Sequence, residues 1–222
     1  MPSVAERVAE VRDRIAAAAA RAGRDPASVT LVAATKTVDA ERVQQVVDAG
    51  VIDVGENRAQ ELLAKTDVQR ARWHFLGQLQ RNKVRQLAPW VACWQSVDRL
   101  ELGAEIARRA PGARILVEVN VGGEPQKGGC APAAVPALVE ALRSDGLDVV
   151  GLMTVPPHDG DPRRWFAQLR EHAVTLGVVE LSMGMTDDYE VAVEEGATMV
   201  RVGRALFGPR PEPPLQRGAP SG

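Results

Sequence analysis

Lys36 directly follows the apolar run Leu31-Val32-Ala33-Ala34 and Thr35, and it is one of only four lysines among 27 basic residues. The others are Lys65, Lys83 and Lys127. Where this chain needs plain positive charge it uses arginine, so each lysine is a candidate for the chemistry of its amine. A lysine at a strand end, pointing into a barrel mouth, is partly desolvated, which favours the free amine that attacks an aldehyde to form a Schiff base. An exposed lysine opening a loop is the plain alternative. Two later segments offer partners. In Ser182-Met183-Gly184-Met185-Thr186-Asp187-Asp188 a hydroxyl, a glycine and the N–H groups entering a helix could bind an anion, or simply cap the helix. In Arg201-Val202-Gly203-Arg204, Gly203 allows close backbone approach to a ligand and Arg201 offers a cation at a strand end.

Other polar clusters are less specific. Gly55-Glu56-Asn57-Arg58-Ala59-Gln60-Glu61 and Trp73-His74-Phe75-Leu76-Gly77-Gln78-Leu79-Gln80-Arg81-Asn82-Lys83 could wall a site, and helix caps or solvated faces explain them as well. His74 and His172 read as structural histidines. Lys127, in a loop, either faces the same mouth or is solvated.

These residues need elements to carry them. A helix over residues 3–22 shows Val4, Val8, Val11 and Ile15 on one stripe. The first strand then ends near Thr35-Lys36, and Asp39 caps a helix bearing Val43, Val46 and Val47 that Gly50 stops. Apolar runs recur at 51–55, 73–76, 92–97, 114–120, 148–153, 178–182 and 198–202, with amphipathic helices between them. One of these opens on Asp161-Pro162, a cap followed by proline at the first helical position. Another runs from about Thr186-Asp187-Asp188 to Gly196. Eight strand–helix steps after one leading helix predict an α/β fold, a single (β/α)8 TIM-type barrel over residues 1–208. An open doubly wound sheet is the competitor. Residues 209–222, GPRPEPPLQRGAPSG from Gly208 on, read as a Pro-rich disordered tail.

Composition narrows the classes. The 222 residues are 45% hydrophobic and 25% charged, an ordinary globular balance. The net charge of −2, with acids and bases interspersed, offers no basic stripe to nucleic acid. No apolar run approaches the roughly 18 residues of a membrane span, and the charged N-terminus lacks a signal-peptide core, so a cytoplasmic location is expected. Cys93 and Cys130 have no metal-ligand spacing and are expected to be reduced thiols.

Eight motifs then stand in register: ATKT around Lys36, GENRAQE at 55–61, WHFLGQLQRNK at 73–83, SVD at 96–98, EVNVGGEPQKGG at 118–129, GLMT at 151–154, SMGMTDD at 182–188 and VRVGRALFG at 200–208. Together they resemble the pyridoxal phosphate homeostasis protein family, whose members look like the barrel domain of alanine racemase standing alone. The resemblance implies pyridoxal 5'-phosphate held as a Schiff base on Lys36. Arg201 would face the pyridine nitrogen, Ser182, Gly203 and Arg204 would hold the phosphate, and Asn57 would lie near the ring. Arg204 departs from the family, which usually has serine or threonine there. A backbone contact survives that change, whereas a small hydroxyl contact does not.

The function implied is binding, buffering or delivery of pyridoxal phosphate without substrate turnover, by a monomer, with pyridoxal-phosphate-dependent apoenzymes as candidate recipients. A racemase is the alternative. It would need a proton carrier on each face of the substrate carbon, and the chain has a single tyrosine, Tyr189, expected to serve packing or surface. His74 and Lys127 are the other candidates. Arginine stays protonated, so a pyridine nitrogen facing Arg201 is discouraged from taking a proton, which weakens the ring as an electron sink. A Schiff-base aldolase acting on a sugar phosphate is a third, disfavoured possibility.

Overall fold

Ser3 starts the first helix with a capping box, its hydroxyl accepting from the Glu6 N–H at 3.2 Å while the Glu6 carboxylate accepts from the Ser3 N–H at 2.6 Å. In the computed structural model, which describes residues 2–208, this helix is α1 (Val4–Arg21). Eight strand–helix steps follow: β1 (Thr30–Ala34) and α2 (Ala40–Asp48), β2 (Asp53–Glu56) and α3 (Ala59–Leu63), β3 (Arg72–Phe75) and α4 (Val84–Leu87), β4 (Val91–Val97) and α5 (Leu100–Arg109), β5 (Arg114–Glu118) and α6 (Val135–Ser144), β6 (Asp148–Met153) and α7 (Arg163–Leu176), β7 (Glu180–Ser182) and α8 (Tyr189–Glu194), and β8 (Met199–Val202) with α9 (Arg204–Phe207). The tail expected at 209–222 lies outside the described residues.

The strands pair in parallel in sequence order, and β8 returns to β1 with Val32 opposite Arg201, closing the barrel. The expected (β/α)8 barrel with one leading helix is therefore the fold observed, and the open-sheet alternative is excluded. Asp39 caps α2 as expected, accepting from the Arg42 N–H at 2.8 Å. At α7 the expectation shifts by one residue: Pro162 is the N-cap and Arg163 the first helical residue. Asp161 still accepts from the Arg163 N–H at 2.9 Å. Among the described residues no helix is long and apolar enough to cross a membrane.

Side chains alternate across each strand. One set packs under the helices, where Val8, Val43, Val54, Leu102, Ile115 and Phe166 belong to one continuous core. The other set fills the barrel lumen. It holds a small apolar cluster of Val32, Cys93, Leu116, Met153 and Met199. With them are the buried polar side chains of Asp53, His74, Gln95, Glu118, Ser182 and Arg201. Buried polar groups carry a desolvation cost unless paired, so this lumen is where the structure must satisfy them.

Candidate functional site

Lys36 stands two residues beyond the end of β1, on the rim between β8 and β2. Its two neighbours are pinned. Thr35 is fully buried: its N–H donates to the Gly55 carbonyl at 2.9 Å and its hydroxyl lies 2.6 Å from Glu56 Oε1. The Thr35 carbonyl accepts from Lys65 Nζ at 3.0 Å, and Lys65 pairs with the same Glu56 oxygen at 2.5 Å. Burial pushes the Glu56 carboxyl up, against the hydrogen bonds from Lys65 and Thr35 that favour its charge. On the other side Thr37 adopts a φ of 64°, a left-handed conformation rare for a β-branched residue, and its N–H donates to Glu61 at 2.8 Å. Lys36 itself is half-buried, so a rigid frame presents a partly accessible amine.

On the neighbouring strand Arg201 is buried in the lumen at 5% exposure. Its Nη1 donates to Ser182 Oγ and its Nη2 to the Thr154 carbonyl, each at 2.8 Å. Burial brings the guanidinium down to about 10, opposed by the charges of Glu118 and Asp188. It stays a cation at neutral pH. Ser182 donates its one hydroxyl proton inward to Gln95 at 2.6 Å. The phosphate contact expected of that hydroxyl would require this bond to break.

Gly203 follows β8, and a Cβ placed there would lie 3.0 Å from the Ala34 carbonyl, two residues before Lys36. The close approach explains the glycine and brings the β8 loop against the end of β1. The N–H groups of Gly203 and Arg204 have no protein acceptor among the described residues. The Arg204 side chain turns to the surface and grips Asp187, with contacts of 2.5 and 2.6 Å. That exposed pair links the loops after β7 and β8. Such pairs are worth about 0–1 kcal/mol, so the guanidinium is easily exchanged to another anion.

Asn57 stands on the other flank of Lys36, after β2. Its backbone is packed so closely by Gly77 that a Cβ there would lie 2.2 Å from the Asn57 carbonyl. Of the six residues singled out from sequence, only Asn57 lines the mouth cavity of about 630 Å³, which lies over the loops after β2 to β5. Lys83 and Lys127 line it too. Lys127 is tied to Glu124 at 2.6 Å and to the Pro156 carbonyl at 2.7 Å. Lys36, Ser182, Arg201, Gly203 and Arg204 gather instead at the junction of β7, β8 and β1. The amine, the buried cation and two N–H groups unpaired among the described residues therefore stand on adjoining strands and loops.

Two residues that hold this junction, Gln95 and Thr154, were not evident from sequence, nor was Glu118, which acts on Arg201 through its charge alone. The available signal was parity, since Gln95 lies two residues from inward-facing Cys93, and Glu118 two from inward-facing Leu116. Tyr189 is buried at the start of α8, with Arg14 of α1 5.4 Å over its ring. Among the described residues no cluster of His, Cys, Asp and Glu could hold a metal ion.

The family model for the alanine racemase N-terminal domain matches residues 7–211. A relative from Pseudomonas aeruginosa named pyridoxal phosphate homeostasis protein is 43% identical over 224 residues, covering 95% of this chain and 97% of that protein. The protein of that name from Aquifex aeolicus is 42% identical over 222 residues, covering 92% and 97%. Among solved structures, PipY of Synechococcus elongatus with PLP bound superposes with a TM-score of 0.81 at 33% identity, over 93% of this chain and 100% of that one.

Proposed function

From the premise that this chain belongs to the alanine racemase N-terminal domain family, and within it to the pyridoxal phosphate homeostasis proteins, we propose that it binds pyridoxal 5'-phosphate on Lys36. We further propose that it buffers or delivers the cofactor inside the cell, without turning over a substrate. The observation that carries this is the junction of β7, β8 and β1, where a partly accessible amine, a buried cation and a glycine cradle meet. These suit the three functional ends of the cofactor. Lys36 would take the aldehyde, Arg201 would face the pyridine nitrogen, and the Gly203 and Arg204 N–H groups would receive the phosphate. Ser182 would hold Arg201, and Asn57 would flank the ring.

Bound pyridoxal phosphate supplies a reactive aldehyde and an electron-withdrawing ring. The chain's own residues restrain the ring. With Arg201 still protonated, a pyridine nitrogen beside it does not gain a proton readily, so its electron-sink strength stays low. A racemase would also need a second proton carrier near the reacting carbon. Tyr189 is buried against Arg14 of α1, both His74 ring nitrogens are engaged in the lumen, and Lys127 is tied to Glu124 and Pro156. These placements support a carrier over a racemase.

The test is borohydride reduction of protein incubated with pyridoxal phosphate, followed by peptide mass mapping. The label is expected on Lys36 and lost in Lys36→Ala. Primary labelling of Lys83 or Lys127, or none, would refute the assignment. Loaded protein is expected to racemise L-alanine no faster than free cofactor with an unrelated lysine-bearing protein. Enzymatic racemisation abolished by His74→Ala or Lys127→Ala would overturn the carrier role.

A further inference from the structure

Five side chains cross the lumen from the floor of the barrel to the cofactor rim, one from each of five strands or strand ends. Arg201 Nη1 meets Ser182 Oγ at 2.8 Å, and Ser182 Oγ meets Gln95 Oε1 at 2.6 Å. Gln95 Nε2 meets His74 Nδ1 at 2.7 Å, and His74 Nε2 meets Asp53 Oδ1 at 2.7 Å. Asp53 is closed off by Arg72, whose Nε and Nη2 lie 2.5 and 2.6 Å from its two oxygens. We propose that His74 is a positioning residue for Arg201, acting through Gln95 and Ser182 along this hydrogen-bonded chain. The proposal rests on the assignment of Arg201 to the cofactor.

The donor inventory gives the chain one direction. A guanidinium has no acceptor, so Arg201 must donate and Ser182 Oγ must accept. The Ser182 proton is then free for Gln95 Oε1. An amide oxygen turned to Ser182 leaves Gln95 Nε2 facing His74 Nδ1, with Met199 Sδ 3.7 Å away as its second acceptor. An amide nitrogen only donates, so Nδ1 must offer its lone pair. The ring proton then sits on Nε2 and is given to Asp53. Burial pushes the Asp53 carboxyl up, but the hydrogen bonds from His74 and Arg72 outweigh it and hold the group below its ordinary range. An ionised acceptor therefore terminates the series.

This matters because Arg201 has no carboxylate in direct contact among the described residues. Its orientation depends on two neutral acceptors, the Thr154 carbonyl and the Ser182 hydroxyl. The Thr154 carbonyl is held by its own residue, whose N–H donates to the Ser182 carbonyl at 3.1 Å and whose hydroxyl donates to the Val119 carbonyl at 2.8 Å, whereas a hydroxyl rotates unless its proton is engaged. Gln95 engages it, and the Gln95 amide could itself turn over unless something demands a donor. His74, its tautomer set by Asp53, makes that demand. Removing His74 therefore frees two rotors beneath Arg201 without touching the rim.

The first measurement needs no cofactor. Nitrogen-15 NMR of histidine-labelled protein at pH 7 should show the His74 ring neutral, protonated on Nε2 and accepting at Nδ1. An Nδ1-protonated ring or an imidazolium overturns the proposal, because the amide could not then be oriented as described. The second is a double-mutant cycle in pyridoxal phosphate affinity with wild type, His74→Phe, Arg201→Gln and the double variant, with Gln95→Leu as a second break in the chain. His74→Phe and Gln95→Leu should each weaken binding about threefold to tenfold, the scale of coupling within one network. Neither should weaken it further in the Arg201→Gln background. Additive losses would mean a merely structural role and overturn the proposal, as would wild-type affinity in both single variants. If the wild type fails to bind, or Arg201→Gln binds as well as wild type, the cofactor assignment falls and takes the proposal with it.

Discussion

Glu118 allows a prediction whose magnitude follows from its surroundings alone. It ends β5 facing the lumen at 7% exposure, with Oε2 lacking a hydrogen-bond partner among the described residues. Burial, then the charge of Asp98, pushes its carboxyl up from 4.5 to about 7, with Arg201 pulling the other way. An unfolded chain releases this proton near 4.5 and the folded chain keeps it until about 7. Between those values the native state binds more protons, so stability falls as pH rises. The contribution is fully present below the unfolded value and is lost as pH rises through the folded one. At about 1.4 kcal/mol per tenfold change, the gap amounts to about 3 kcal/mol. Glu118→Gln keeps the shape and removes the titration. Urea unfolding followed by tryptophan fluorescence should find the variant close to wild type at pH 4.5. At pH 8.5 it should be more stable by up to about 3 kcal/mol. Other shifted carboxyls, including Glu56 and Asp188, cancel in the difference between the two proteins. Parallel pH profiles would show that Glu118 ionises as an ordinary carboxyl and that the lumen is better solvated than its geometry implies.

Further outcomes follow from the same geometry. Arg201→Gln should keep the Lys36 linkage but change the visible absorbance of loaded protein. It should weaken retention by about 1.5–3 kcal/mol, the worth of a hydrogen bond to a charged group, and an unchanged spectrum and affinity would remove Arg201 from the site. Arg204→Ser should alter stability by no more than about 1 kcal/mol, because its partner Asp187 is exposed. Cofactor affinity should fall less than in Arg201→Gln, and a larger loss in equilibrium titration would show that the guanidinium itself carries the phosphate. Lys65→Met should destabilise the protein by about 3–5 kcal/mol, because it leaves Glu56 charged or strained in a closed site. Thermal unfolding close to wild type would mean that the Glu56–Lys65 pair does not anchor the frame around Lys36.

Much of this architecture was legible because each barrel unit carries its own punctuation. Leu31-Val32-Ala33-Ala34 declares a buried strand, Asp39 starts the next helix and Gly50 stops it, and the alternation of apolar strand and amphipathic helix runs through all eight units. Lys36 and Gly203 were legible for a related reason: each marks the end of a strand, where such barrels place their ligand loops. The chain from Arg201 to Asp53 was not. Its members lie on β2, β3, β4, β7 and β8, so no spacing along the chain relates them. Only barrel closure and strand stagger bring Gln95 of β4 to Ser182 of β7 across the lumen. Each residue alone also has an innocent explanation: His74 reads as a structural histidine, Gln95 as a polar residue in an apolar strand, Ser182 as a cap. Sequence does carry a trace of the chain in the parity of Cys93 with Gln95 and of Met199 with Arg201. Polar residues on the inward face of a barrel strand must find partners in a space too narrow for bulk water. An inward polar residue on one strand therefore implies others at matching height. The requirement for satisfied hydrogen bonds, applied layer by layer, points to His74 as a partner of polar groups on β2 and β4 from the sequence alone.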